Sequence, residues 1–497
     1  MINQKFKVIS LLAVLITLSH FASAQQEFTL YHMPVLSQST MLNSAAIPEH
    51  KVSISLPIPS VFVGFNNSAF SVKALMDKNG TVDYGKFVEG LSKNKNYIGF
   101  GANVELFHLR IMAANNFFSA QSRVVNDIRF LFPKDLLGLG AEGVRDGFSL
   151  SGLGIHANSY LEHSLGFTRV RPDSRWTYGG KLKLLKGITN IQTKSSEIEL
   201  VVDDQDLYNY DLSANLELNV GVGLNKSRFA SFDDITNINV ENYKDAKEQV
   251  QLSTGFAMDA AATFQASPKI SFAASLNNLG YINWKSFTKN YKGSTTFEFD
   301  GVQINDLDFS QNLDSLISNQ LDSTLTALTD LSNSSIDTTA NPYKAALPAN
   351  LFLTAHFQLS PRARASASLY SEFFNGLSLG AVAGLNISVT RRFDFTASWW
   401  WFRKSSTNLG LGMVYKPGPF QFYMVMDNVL PASFVKINDA EKGIENLWLP
   451  YQVKNFNMRI GMNLVFGRIK AESRLSKSGL TKKKHGIKRY TYKPSNK

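Results

Sequence analysis

Gly138-Leu139-Gly140-Ala141-Glu142-Gly143 has the glycine spacing of a turn that cradles a dinucleotide pyrophosphate. That chemistry needs a strand running straight into the turn and a βαβ unit around it. Here Pro133-Lys134-Asp135 intervenes and no such unit follows, so the match reads as coincidence. Asp203, Asp204 and Asp206 gather carboxylates as a calcium site would. They lack the turn glycine and terminal glutamate of a calcium-binding loop, and read as a solvated hairpin turn. The eight histidines are scattered without the paired spacing of a helix-borne metal site, and there is no cysteine. His156 and His163 flank an expected hairpin, and ordinary lumen or rim positions account for them. No Gly-x-Ser-x-Gly elbow is present, so neither cofactor, metal nor enzyme activity is expected.

Two other groups carry more weight. On the strand-like segment 393–402, Trp400 falls in phase with Asp394, Thr396 and Ser398, whereas Trp399 and Trp401 share the other face with the aromatic residues. Near the C-terminus Arg459 alternates with Met458 and Ile460. If the apolar face meets lipid, then Trp400, Asp394 and Arg459 point into a lumen, where Trp400 either fills space or touches a hydrophobic solute. The second group is Lys482, Lys483, Lys484, Lys488 and Arg489, interleaved with Tyr490 and Tyr492. Residues 468–497 hold eleven Lys and Arg against one Glu, so most of the net charge of +11 sits there and the body is close to neutral. A near-neutral body argues against nucleic acid as a partner. The basic run is either a solvated tail or a tether to anionic headgroups, cell-wall carboxylates or an acidic periplasmic partner, at about 1 kcal/mol per basic group near a charged surface.

The elements that position these residues are strands. In 457–466, Met458, Ile460, Met462, Leu464 and Phe466 alternate with Asn457, Arg459, Gly461 and Asn463. The same period recurs in 420–427, 212–220 and 178–184, with earlier strands expected at 51–64, 97–106, 107–116, 120–132, 148–156 and 160–171. Short polar or proline turns (267–269, 360–362, 390–392, 417–419) alternate with long connections such as 225–248, 285–346 and 431–454. That asymmetry is the pattern of an outer-membrane barrel, whose short turns face the periplasm. Segment 133–145 reads as helical and by strand parity falls at the periplasmic rim. In the long outer loop, residues 312–331 place Leu313, Leu316, Ile317, Leu321, Leu325, Leu328 and Leu331 at helical spacing, an amphipathic helix whose apolar stripe is buried on the barrel mouth, on another loop helix or on a partner.

The N-terminus fits export. Lys5 and Lys7 precede an apolar run, and Ala22-Ser23-Ala24 supplies a cleavage site, giving a signal peptide over 1–24. Nothing later approaches the roughly 18 apolar residues of a spanning helix. Aromatic residues make up 12% of the chain, enough to furnish girdles at both membrane interfaces. The expected organisation is therefore an N-terminal plug-like segment over 25–49, an all-β transmembrane antiparallel barrel over 50–467 and a basic periplasmic tail over 468–497. The strand number is even, up to about 18.

Several motifs together resemble a known group. They are Tyr31-His32-Met33-Pro34, Asn43-Ser44-Ala45, Arg129 to Leu137, Leu276 to Trp284, Met426 to Leu430 and the final strand 459–467. With these the chain resembles a large outer-membrane barrel family of Bacteroidetes-type bacteria related to the FadL-like transporters. Ser44 stands where the FadL-like pattern has proline. The resemblance implies a barrel with 14 strands favoured and a short N-terminal segment inside it, in a superfamily that holds both hydrophobic-solute transporters and secretion-associated barrels.

Three functions are compatible with this reading. The first is an interaction or assembly component of an envelope or secretion complex, with an envelope protein as partner, motivated by the tail and the loop helix. The alternative is FadL-like passive transport of a hydrophobic or small solute across the outer membrane. A barrel-embedded hydrolase, assembled from Ser, His and Asn of neighbouring strands, comes last.

Overall fold

A computed structural model describes residues 27–55, 60–68, 84–93, 96–142, 148–170, 174–202, 210–223, 251–299, 336–374, 376–402, 405–429, 434–439, 444–450, 455–469, 482–483 and 486–487. The expected signal peptide, the Asp203–Asp206 cluster, the loop helix at 312–331, and Lys484, Lys488 and Arg489 lie outside them.

The wall begins with β1 (His50–Ser55) and β2 (Ser60–Asn67) laid end to end, followed by β3 (Asn96–Ala113) and β4 (Asn116–Phe132). A short β5 (Phe148–Ser149) precedes β6 (Gly154–Val170) and β7 (Trp176–Val202). Beside β7 run β8 (Tyr210–Val222) and β9 (Ser253–Gln265) as one stave; β10 (Ile270–Trp284) and β11 (Thr288–Phe299) form the next. Then come β12 (Ile336–Thr339), β13 (Tyr343–Ala346) and β14 (Ala349–Ser360) as one stave, β15 (Ala363–Phe373), β16 (Leu377–Ser388), β17 (Phe393–Phe402), β18 (Ser405–Tyr415) and β19 (Phe420–Asp427). A separate hairpin, β20 (Phe434–Asp439) with β21 (Ile444–Pro450), leads to β22 (Asn455–Arg468). That last strand pairs back onto the first stave, with His50 opposite Arg468 and Val61 opposite Ile460. The result is a closed antiparallel barrel of 14 staves. Pairing of the first stave with the last closes the wall on itself, the condition for strands to cross a bilayer.

Alternation decides which residues face where. On β17, Trp399 and Trp401 are 48% and 41% exposed while Trp400 is fully buried. Leu165 on β6 and Leu182 on β7 are paired across the sheet and are 70% and 72% exposed, flanked by buried Ser164, Lys181 and Lys183. Greasy side chains stand outside and charged ones inside. That is the inverse of a soluble sandwich, and it makes the outer face a lipid face.

One strand changes phase. Between Glu105 and Phe107 a bulge in β3 puts one extra residue, Leu106, into the ladder. Inward positions therefore switch from Asn103 and Glu105 to His108 and Arg110. Two strands expected at 97–106 and 107–116 are one strand for this reason, and those expected at 148–156 and 160–171 are likewise mainly β6. His156 and His163 accordingly share β6 rather than flanking a hairpin, and His163 is exposed.

Merging those strands corrects the parity. α1 (Phe28–Tyr31) lies inside the barrel, α2 (Tyr84–Glu89) follows β2, and α3 (Lys134–Glu142) follows β4. β4 rises away from the turn at 114–115, so α3 stands at the long-loop end, not at the short-turn end where the sequence placed it. There Lys134 N–H donates to the Lys93 carbonyl at 2.7 Å and Asp135 accepts from Ser149 N–H at 3.0 Å. Gly138 and Gly140 are helical residues, so no nucleotide-binding turn forms.

The wall is uneven in height. A barrel strand needs about 9–11 residues to cross the bilayer, and β7 has 27. Beyond Ile188 it pairs with β8, which pairs in turn with β11 and then β12, forming a flange above the rest of the wall.

Candidate functional site

The lumen is occupied by the chain's own N-terminal segment, 27–49. Its route follows from where its polar groups find partners, since backbone buried away from water must be paired. At the short-turn end Glu49 is held by Lys416 at 2.8 Å and by Arg468 at 2.6 Å, and Lys416 also pairs with Asp394. Asp394, one of the lumen candidates, thus ties β17 to the foot of the plug. Going upward, the Leu42 carbonyl accepts from Asn277, the Ser44 carbonyl from Thr168 and the Ala46 carbonyl from Arg110. Gly179 faces Ser44 so closely that a Cβ there would overlap its carbonyl. Gln38 donates to Glu105 at 3.0 Å and to Asn463 at 2.8 Å.

At the upper end Phe28 enters a box of Phe352, Tyr370, Trp400 and Phe402. Its ring lies 4.9 Å from both Tyr370 and Trp400. Tyr31 stacks on Phe352 at 4.2 Å and 13° and accepts a hydrogen bond from Thr354 at 2.9 Å. Trp400 is thus covered by the plug. Thr29 donates its N–H to Asp427 at 2.9 Å. Arg459 clamps Glu27 through two hydrogen bonds, one of 2.9 Å, and donates to Ser60 at 2.8 Å. A bidentate guanidinium–carboxylate pair fixes direction as well as position. The three lumen residues read from the sequence, Trp400, Asp394 and Arg459, are therefore all engaged with the plug or its anchors. Lys482 and Lys483 lie in a two-residue strand paired with Gly486–Ile487, apart from the wall.

The opposite half of the lumen is layered. Lowest are buried ions: Arg123 grips Glu162 at 2.9 and 3.0 Å, and Lys183 pairs with Asp259 at 2.7 Å. Above them Val125, Tyr160, Leu185, Ile282, Trp284 and Leu347 close into an apolar layer. Over that layer, at the long-loop end, a cavity of about 480 Å³ opens. One wall is polar: Asp127 and Arg129 from β4, His156 and Asn158 from β6, Asn190 and Gln192 from β7. The other is apolar, made of Leu347 and Pro348 before β14 and of Phe374 at the β15–β16 hairpin, with the outward-phase residues Phe373 and Leu377 at its rim.

A strut bounds this cavity. Arg129 donates to Glu372 on β15 at 2.9 Å and lies 3.4 Å from Asp127, while Phe374 covers its guanidinium at 4.0 Å. His156 meets the same Phe374 ring edge-on at 5.3 Å. Sequence reading did not single out Arg129, Glu372, Glu27 or Gln192. The available signal was charge on the lumen phase of a lipid-facing strand, where an unpaired ion is too costly to keep. Among the described residues no group of three His, Asp or Glu side chains could hold a metal ion.

Fold and lumen together define a plugged transmembrane β-barrel of the outer-membrane kind. The chain belongs to a family of unknown function, DUF5723, whose pattern matches residues 45–427. No curated protein matches it. Among solved structures it is similar to the toluene transporter TbuX of Ralstonia pickettii, at 9% identity and a TM-score of 0.40, over 86% of this chain and 93% of that one. It is also similar to a Pseudomonas aeruginosa FadL homologue, at 9% identity and a TM-score of 0.40, over 89% and 98%. The Pseudomonas putida toluene transporter TodX matches at 8% identity and a TM-score of 0.39, over 90% and 98%.

Proposed function

We propose that this protein is a gated outer-membrane channel that passes a small solute by diffusion, with residues 27–49 as the gate. The observation that carries the reading is the nature of the plug. The body filling the lumen is a segment joined to the wall covalently only at His50 and held elsewhere by side-chain contacts. Its displacement would leave, on its own side of the lumen, a passage lined by the polar phase of the strands, beside the layered half that carries the cavity. In this reading the short-turn end faces the periplasm, residues 1–24 are removed on export, and the basic tail beyond Ile469 is a periplasmic tether. The assembly reading drew on the helix at 312–331 and on that tail, and no contact among the described residues favours it.

Reconstitution tests the proposal. Liposomes carrying the full chain should take up small solutes faster than empty ones, and deletion of residues 27–46 should raise conductance further while the barrel keeps its heat-modifiable gel migration. Uptake equal to that of empty liposomes for both forms would overturn it.

A further inference from the structure

We infer that the cavity at the long-loop end is a binding site for a neutral, hydroxyl-rich ring solute, a mono- or disaccharide in chemical class. The inference rests on the channel reading only for what happens after the solute is bound.

Size and the two unlike walls come first. A volume of about 480 Å³ falls within the roughly 300–1,000 Å³ range of small-molecule sites. A purely hydrophobic solute would leave the Gln192 amide without a partner, at up to about 1–3 kcal/mol. A fully polar one would gain nothing from Phe374 and Leu347. A sugar ring presents hydroxyls at its edge and C–H groups on its face, so it satisfies both walls at once.

Charge narrows the class further. Asp127 and Glu372 flank the guanidinium of Arg129, so among these three side chains two carboxylates stand against one guanidinium. Carboxylate solutes, fatty acids included, are therefore repelled. An uncharged solute therefore fits this cavity better than a carboxylate does.

The polar groups suit hydroxyls in particular. A hydroxyl both donates and accepts, and a carboxamide offers both functions. Asn190 donates to the Asn158 side-chain oxygen at 2.8 Å, which fixes the orientation of the Asn158 amide. Tyr343 O–H donates to Asn190 at 2.7 Å and holds the pair from behind. Gln192, two residues along β7, is half-buried in the same wall and makes no side-chain hydrogen bond among the described residues. Its amide is the group best placed to be satisfied by a ligand.

Titration calorimetry and saturation-transfer NMR on the detergent-solubilised full chain test the site, with glucose and maltose as probes and hexanoate and toluene as comparators. Maltose should bind saturably and the comparators should not. Gln192→Ala and Asn158→Ala should each weaken maltose by about tenfold, the worth of one hydrogen bond at a buried site, with unchanged heat-modifiable migration. Asp127→Asn keeps the shape and removes the excess charge, so it should admit gluconate. Absence of maltose binding at tens of millimolar, or binding of maltose that neither Gln192→Ala nor Asn158→Ala weakens, overturns the inference. Maltose that binds but does not enter liposomes sinks the channel reading and leaves the site standing. Maltose uptake unaffected by Gln192→Ala does the reverse.

Discussion

Arg129 on β4 and Glu372 on β15 meet at 2.9 Å across the lumen, although β6, β7, β9, β10 and β14 separate their strands around the wall. Both side chains are almost fully buried, at 2% and 3% exposure. The pair joins opposite walls beside the cavity and holds the β15–β16 hairpin inward, with Phe374 pressed on the guanidinium. It is therefore a strut rather than a surface ion pair.

Breaking a buried pair from one side leaves an uncompensated charge, at a cost of about 3–5 kcal/mol. Arg129→Ala takes the guanidinium away from two carboxylates and should lower the unfolding free energy in lipid vesicles by about that amount. Glu372→Gln should cost less, because Asp127 still faces the guanidinium. The double variant should lose less than the sum of the two. Additive losses in urea titrations would show that the pair does not act as a unit.

The plug's upper end makes the second prediction. Glu27 is held by Arg459 and Phe28 by its aromatic box, so Glu27→Arg should release the segment from the top and expose it to proteases. The exchange Glu27→Arg with Arg459→Glu should restore protection, since the pair is reciprocal. Protection that stays lost in the double variant would place the anchor elsewhere.

Much of this architecture was legible in the sequence because a strand's period is fixed. Trp399 and Trp401 stand outside, and Trp400, Asp394 and Arg459 inside, by alternation alone. The phase change at Glu105–Phe107 was not legible: an extra residue looks the same as a turn when only apolar periodicity is read. That misreading, together with the split of β6, also misplaced α3. The strut was hidden for a different reason. Arg129 and Glu372 lie 243 positions apart, and no local pattern reports which two inward side chains a closed barrel brings together.

Gly384 on β16 offers a way to dislodge the plug without touching its charges. A Cβ at that position would come within 2.6 Å of the His32 ring. Gly384→Val should therefore raise conductance and loosen residues 28–36 to hydrogen exchange. In a background lacking residues 27–46 the same substitution should leave conductance unchanged, because the ring it strikes is gone. An equal effect in both backgrounds would mean that the wall, not the plug, is disturbed.

Outside the bilayer, Glu217 on the flange accepts from Lys194 at 2.7 Å and pairs with Lys292 at 3.3 Å. Hydrogen bonding from Lys194, then from Lys292, holds its carboxyl below the usual carboxylate range. A pKa lowered by folding means that the folded state binds the proton less well than the unfolded one. The contribution is thus fully present above the ordinary Glu value near 4.5 and fades as pH falls through the lowered one. The group is exposed, so the effect is small. Amide exchange of residues 215–219 should rise modestly below that range and lose its acid dependence in Glu217→Gln; acid dependence retained in that variant would point to another carboxylate.

Leu182 and Val201, both on β7, decide which solvent the outer face meets. They are 72% and 57% exposed, so in water arginine at either position would be nearly neutral. Leu182 pairs with Leu165 low on the wall, where only lipid can cover it. Val201 pairs with Asp211 on the flange, more than a membrane-crossing length above the short turn. A charged residue at the bilayer midplane of a barrel costs about 2–4 kcal/mol and close to nothing beyond the interface. Leu182→Arg should therefore destabilise the barrel in vesicles by about 2–4 kcal/mol while Val201→Arg leaves it unchanged. Equal and negligible losses at the two positions would return the outer face to water, and the barrel would no longer be a membrane protein.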